Sequence, residues 1–307
     1  VIERKAFHGV WVQTITPIGE KEDLLIPTIK RQYNLLSKSA VQGIIPLGPI
    51  GEFASLTFEE KRTLLRTLGQ EGGRMLIMPQ IGDTSIHNVL QLAGVAESAG
   101  CDAVCIIPPF YYPTTDETLY TFFQKIFENV KVPVLLYNQE SYAKVPLSLN
   151  LLKKLKGFSH FYGVIDGGKN INYVSTLRQL DPELIILSNR DRFHVQWLEL
   201  GTNGMVSWLA NAFPWVFTQI YQFFRENRQN EALALQQKVS GLRDLLRMYP
   251  YPASLKYAMY QSGYPAMRVR TPLENLKEEQ RTQLKTEISR YLQCSKILEL
   301  PGCELIQ

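Results

Sequence analysis

The feature that most constrains this 307-residue chain is an alternation of short apolar runs with amphipathic helical patterns. The short runs lie at 9–16 (GVWVQTIT), 43–48 (GIIPLG), 75–82 (MLIMPQIG), 103–109 (AVCIIPP), 133–138 (PVLLYN), 161–166 (FYGVID), 183–189 (ELIILSN) and 204–210 (GMVSWLA). Each is too short for a helix and mostly apolar, as a strand covered on both faces should be. Helical patterns lie between them. Residues 24–38 set Leu25, Ile29, Tyr33 and Leu36 at three- and four-residue steps, one side of a helix. Residues 115–130 open on Thr-Asp-Glu, an N-terminal cap, then place Leu119, Phe122, Phe123 and Ile126 on one face. Segments 85–98, 147–156, 170–180, 193–200 and 214–226 behave similarly, two of them short. Eight strand-then-helix units over ~225 residues imply parallel strands joined by helical crossovers, and fit a closed (β/α)8 barrel better than an open doubly wound sheet. Periodicity does not give strand order, so the open sheet stays as the alternative.

Beyond residue 227 the strand signals stop. Helices are expected at 229–247, 252–262 and 274–296, with a turn-rich stretch around Gly263, Pro265 and Pro272. The expected architecture is therefore α/β: a TIM barrel over 1–226 and a C-terminal helical appendage over 227–307. The final LELPGCELIQ, with Pro301 and Gly302, is expected to be a loose tail.

Composition supplies exclusions. Apolar residues are 45% of the chain and charged ones 20%, enough core to rule out wholesale disorder. A net charge of +4, spread without basic runs, does not suit a dedicated nucleic-acid binder. Cys101, Cys105, Cys294 and Cys303 form no CxxC pair, which favours a reducing, cytoplasmic setting. His8, His87, His160 and His194 show no metal-ligand spacing, so neither a metal nor another cofactor is expected. The opening VIERKAFHGV lacks the order of a signal peptide, and no apolar run reaches the ~18 residues of a membrane span; no membrane association is expected.

In such a barrel, ligands bind at the carboxyl ends of the strands. The groups falling there are Thr14 and Thr16, residues 48–52, Asp83, residues 108–112, Tyr137 and Asn138, Ile165 and Asp166, residues 188–191, Ser207 and Asn211. One stretch, GVIDGGKN (163–170), comes within a residue of the phosphate-cradling pattern GxxxxGK[ST], but Asn170 replaces its hydroxyl. An anion held by the backbone N–H groups of Gly167 and Gly168 is a less demanding reading of the same loop. The run PPFYYP (108–113) and Trp208, Phe213 and Trp215 read as core or interface, not as a base-stacking platform.

Over nearly its whole length the chain resembles the dihydrodipicolinate synthase and N-acetylneuraminate lyase family of barrel aldolases. The matching pieces are VQTITPI (12–18), GPIGEF (48–53), PFYYPTTDETLY (109–120), PVLLYN (133–138), FYGVIDG (161–167), LSNRD (187–191), LGTNGMVSWLAN (200–211) and VRTPLENLKEEQ (269–280), in the family's order and spacing. The resemblance implies a reaction in which a sixth-strand lysine attacks the keto carbon of pyruvate, and the resulting Schiff base drains electrons from the neighbouring carbon. It also implies a fifth-strand tyrosine relaying the proton, a second tyrosine lent by a neighbouring subunit, a Thr-Thr carboxylate clamp and an entrance arginine.

Mapped by resemblance, the relay tyrosine is Tyr137, the lent one is Tyr111, and the Gly-Glu of the second-strand loop is Gly51 and Glu52. The lysine position, however, is Ile165, where the family reads Gly-Val-Lys-Asp and this chain reads Gly163-Val164-Ile165-Asp166. Pro49 and Ile50 replace the Thr-Thr pair, Tyr142 replaces the entrance arginine, and Asn189 stands at a glycine that contacts substrate. Isoleucine cannot form an imine. Residues that act as a unit contribute non-additively, so joint loss of nucleophile, clamp and relay hydroxyl is what a site freed from that chemistry would show.

The expectation is a barrel that binds a small carboxylate or sugar acid, or serves structurally, within a homodimer or homotetramer. The alternative is an active lyase on a keto acid or sugar acid, using different chemistry or a relocated lysine, with Lys169 and Lys144 as candidates; such a lysine must be fixed and have its pKa lowered. Arg190 is read either as a replacement carboxylate clamp or as half of a surface ion pair with Asp191. Ser207 completes the candidate binding set, and Glu52 with Asp166 is a weak acid/base candidate. Ile165 is read as barrel filling, and packing is an equal reading for Tyr137 and Tyr111.

Overall fold

The computed structural model describes residues 2–73 and 75–297. Eight strands, β1 (Gly9–Gln13), β2 (Gly43–Ile45), β3 (Leu76–Ile77), β4 (Val104–Ile106), β5 (Val134–Asn138), β6 (Phe161–Asp166), β7 (Ile185–Ser188) and β8 (Gly204–Ser207), are joined by helical crossovers. All paired strands are parallel, in the order β3-β2-β1-β8-β7-β6-β5-β4. The two ends of that row meet: the Cys105 N–H donates to Pro79 O and the Ile81 N–H to Cys105 O, both at 2.9 Å. The sheet is thus a closed (β/α)8 barrel, and the open doubly wound alternative is excluded.

The strands are shorter than their apolar runs. Pro46, Pro79 and Pro108 interrupt three of the runs, and a proline has no N–H to give to a ladder. The residues past each strand turn into the loops at the barrel mouth.

The helices are α1 (Ile26–Ser37), α2 (Phe58–Gln70), α3 (Ile86–Ser98), α4 (Asp116–Phe127), α5 (Glu140–Ala143), α6 (Leu149–Leu155), α7 (Ile171–Leu180), α8 (His194–Glu199), α9 (Pro214–Arg225), α10 (Gln229–Arg247), α11 (Ala253–Gln261) and α12 (Glu278–Ser295). Two of them, α2 and the single turn α5, have no counterpart among the expected segments. The signal for α2 is nonetheless present: the Thr57 side chain accepts from the Glu60 N–H while Glu60 reaches back to the Thr57 N–H, a capping box. The short α5 carries no such cap, and its apolar stripe is a single buried residue, Ala143.

Period-two alternation divides the core into two shells. Inside the barrel lie Trp11, Ile45, Met78, Cys105, Leu135, Tyr137, Ile165, Leu187 and Val206, with Phe7 stacked on Trp11 at the amino-terminal floor. Between sheet and helices lies the larger shell, which includes Val10, Val12, Ile44, Val104, Leu136, Val164 and Ile186. Gly163 is needed in β6 because a Cβ there would sit 1.9 Å from Ile185 O on β7.

The C-terminal helices share that outer shell through residues such as Leu235, Val239, Leu242, Leu255 and Met259. They are also tied to the mouth by polar contacts. From α10, Gln236 donates to Asp191 O. From α11, the Lys256 ammonium donates to Glu52 Oε1 at 2.5 Å and to Arg268 O at 2.6 Å. No described helix is long and apolar enough to cross a membrane. The expected loose tail, 298–307, lies outside the described residues, and Cys303 with it.

Candidate functional site at the barrel mouth

A cavity of about 860 Å³ opens at the carboxyl ends of β5, β6 and β7. Tyr137 and Asn138 from β5, Tyr142 from α5, residues 166–170 after β6, residues 189–192 after β7, and Arg243 and Arg247 from α10 supply much of its wall. Gln13, Trp208 and Tyr251 complete the deeper part.

Register fixes the floor. Tyr137 pairs with Ile165 across β5 and β6, and Ile165 with Leu187 across β6 and β7. All three therefore point into the barrel. Ile165 is wholly buried and does not line the cavity. Tyr137 is 1% exposed; its phenol oxygen accepts from Gln13 Nε2 at 2.9 Å and from Asn189 Nδ2. Burial drives the Tyr137 pKa well above its ordinary value, against the lowering effect of the Gln13 bond, so the phenol stays neutral.

One residue along each strand, the side chains turn outward. Asp166 Oδ1 accepts from Asn138 Nδ2 at 2.8 Å and from the Gly168 N–H at 3.1 Å, while its buried Oδ2 has no hydrogen-bond partner. Burial raises the Asp166 pKa, and the Asn138 bond only partly offsets it. The Trp197 indole N–H, also buried, likewise has no hydrogen-bond partner.

The cationic wall is not the ion pair expected on the surface. Asp191 is buried, accepting from Ser207 Oγ at 2.5 Å with His194 Nε2 at 3.4 Å, and forms no salt bridge to Arg190. The exposed-pair reading fails because the 187–191 turn aims the carboxylate inward. Arg190 instead reaches Gly167 O at 3.5 Å and lies 5.7 Å from the Phe193 ring centroid. Burial lowers its pKa, and nearby Asp166 counters that.

The other sequence-derived positions separate into two groups. Tyr142, Asn189, Arg190 and Tyr137 meet at the cavity. Pro49, Ile50 and Gly51 form a 3-10 turn outside its lining, held by Thr16 Oγ1 donating to Gly51 O at 2.6 Å. Glu52 also faces away: besides Lys256, its Oε2 accepts from the Arg270 N–H at 2.9 Å, so it is not paired with Asp166. Ser207 sits beneath the cavity, holding Asp191 and accepting from the Leu209 N–H at 3.1 Å. Tyr111 is 83% exposed with φ +97°, packed edge-on against Tyr112 and away from its own chain's cavity. Of the candidate amines, Lys169 lines the cavity but is exposed, and Lys144 donates to Ser141 O at 3.0 Å on the outside of α5.

Sequence reasoning missed Gln13, Arg192, Arg243, Arg247 and Tyr251. The four-residue spacing of Arg243 and Arg247 puts both on one face of α10, which was a usable signal. What no pattern indicated was that this face turns toward the barrel mouth.

Comparison with known proteins agrees with this fold. The Dihydrodipicolinate synthetase family profile matches residues 6–291. An uncharacterized DapA-like lyase of Halobacterium salinarum is 29% identical over 283 residues, 92% of this chain and 93% of that protein. A 4-hydroxy-tetrahydrodipicolinate synthase of Methanocaldococcus jannaschii is 29% identical over 281 residues, 91% of this chain and 96% of its own length. Among solved structures, a dihydrodipicolinate synthase (DapA) superposes with a TM-score of 0.87 at 28% identity, covering 95% of this chain and 100% of that one. A catalytic-lysine mutant of a Ruminococcus gnavus sialic acid aldolase superposes at 0.90 with 17% identity, covering 96% and 99%, a likeness of fold alone. By the extent of these matches, the chain belongs to the dihydrodipicolinate synthetase family.

Proposed function

We propose that this chain is a family member that has given up Schiff-base chemistry and holds a small carboxylate or sugar acid at its barrel mouth. The observation that carries the reading is Ile165: wholly buried, in register with Tyr137, and pointing into the barrel where the family's lysine would have to stand. A hydrocarbon branch there offers no lone pair to a ketone. Among the described residues, Lys169 is the only lysine lining the cavity, and it is exposed, not held at the barrel floor within bonding reach of a ketone. Support for an acid as ligand comes from the arginines of the wall and the neutral donors around Tyr137. In this reading Tyr137, Tyr142, Asn189 and Arg190 contact the ligand, while Pro49, Ile50, Gly51, Glu52 and Ser207 shape the mouth from behind.

The exposed Tyr111, in a left-handed conformation that costs about 1 kcal/mol, is assigned to a contact with a second copy in a dimer or tetramer. The free thiols of Cys101, Cys105 and Cys294 suit a cytoplasmic setting.

Incubation with pyruvate and borohydride, followed by intact mass, tests the reading. An unchanged mass is expected. A covalent adduct mapped to Lys169 would instead establish a relocated lysine and an active lyase.

A further inference from the structure

The cavity gathers more arginine side chains than its carboxylates pair. Five cationic side chains line it, Arg190, Arg192, Arg243, Arg247 and Lys169, against the lining carboxylates Glu140, Asp166 and Asp191. Asp166 and Asp191 accept from neutral donors, Asn138 and Gly168 on the first and Ser207 on the second, and neither forms a salt bridge to a lining arginine among the described residues. Asp244, outside the lining, is shared by Arg192 (Nε to Oδ1 3.0 Å) and Arg243 (Nη1 to Oδ1 2.9 Å), so one negative charge serves two guanidiniums. Among the described residues, Arg190 and Arg247 have no carboxylate within salt-bridge distance. Arg190 Nε is buried without a partner, and the Arg247 guanidinium lies 4.6 Å from the centroid of the Tyr251 ring. Like charges gathered around a concavity raise its potential and favour an anion that comes to rest among them. A guanidinium fork matches carboxylate or phosphate oxygens two at a time.

We infer that the ligand is a small acid bearing at least two negative charges, its second anionic group, a carboxylate or a phosphate, gripped by Arg243 and Arg247 of α10. The inference rests on the proposed reading of the mouth as an acid-binding site. It makes the C-terminal helices part of the recognition surface, with the neutral groups Gln13, Tyr137 and Asn189 left for the uncharged portion of the ligand.

Calorimetric titration at low salt tests it with four probes: pyruvate, gluconate, glucarate and 6-phosphogluconate. At least one dianion is expected to bind about tenfold or more tighter than gluconate, reflecting an added set of charge-assisted hydrogen bonds. Comparison of glucarate with 6-phosphogluconate identifies the second group. The paired substitution Arg243→Gln and Arg247→Gln is expected to bring the dianion down to the gluconate level while gluconate itself changes little, in protein whose melting temperature is retained. Asp244→Asn, which removes the shared counter-charge, is expected to tighten dianion binding. Equal affinity for gluconate and both dianions, no dianion binding, or a preference that survives the paired substitution would overturn the inference. Binding of gluconate or pyruvate with no preference for a dianion overturns this inference alone, whereas no binding of any of the four probes also removes the acid-binding reading on which it rests.

Discussion

Replacing Lys256 with methionine removes the ammonium of a buried ion pair while keeping most of the side-chain volume. In the pair, the Lys256 and Glu52 side chains are 1% and 0% exposed. Lys256 donates to Glu52 Oε1 and Arg268 O, and Glu52 keeps one further donor, the Arg270 N–H. Lys256→Met therefore strands a buried carboxylate on a single neutral donor and leaves Arg268 O without this bond. Breaking such a pair from one side costs about 3–5 kcal/mol, because the surviving charge stays desolvated. Glu52 also sits at φ +58°, and the pair helps hold that strained backbone. A loss of this size is a large part of the roughly 5–15 kcal/mol that holds a typical domain. The assay is urea unfolding followed by tryptophan fluorescence and circular dichroism at one fixed protein concentration. The double variant Lys256→Met with Glu52→Gln removes both charges and is expected to recover at least about half of the loss, since replacing a whole pair is often near neutral. A single-variant cost below about 1 kcal/mol, or a double variant no better than the single, would refute the argument that Glu52 serves the tail and not the cavity.

Ile165→Lys is expected to lower stability by at least the roughly 1.5–3 kcal/mol of a buried aliphatic side chain, with aldol turnover of pyruvate remaining at background in a coupled assay, because Pro49 and Ile50 offer no carboxylate clamp. Rapid turnover would show that the pocket had stayed competent. Glu60 gives a pH signature: its bonds to Arg270, from Nη2 to Oε1 and from Nη1 to Oε2 at 2.7 Å, hold its pKa at about 2 against an ordinary 4.5. A depressed carboxyl pKa contributes stability that is complete above pH 4.5 and lost as pH falls toward 2. After allowance for solvent screening the loss is about 1 kcal/mol. Glu60→Gln should flatten that part of the melting-temperature profile, and an unchanged acid slope would count against the pairing.

Local pattern reached a long way into this protein. The eight apolar runs are the eight strands because burial on both faces demands continuous apolar sequence, a local property. The helices 229–247 and 214–226 agree with α10 and α9 almost to the residue, since both carry a long apolar stripe. The helix after β2 escaped notice, although Thr57 and Glu60 spell its cap. At the site, Tyr137 and Ile165 were singled out by the family resemblance, and strand register puts the two side by side. The roles of Glu52 and Asp191 were not legible. Each is a short acidic side chain after a strand, and only the arrival of Lys256 from α11, or of Ser207 from β8, decides which way it faces.

The sequence by itself determined the succession of strand and helix and the hydrocarbon side chain at position 165, because both are properties of residues near one another along the chain. Tertiary structure alone decided that the sheet closes, that α10 turns two arginines toward the mouth, and that Glu52 is sealed against Lys256. Charges separated by more than two hundred residues acquire partners only when the chain is packed, and burial then sets what each of them is able to do.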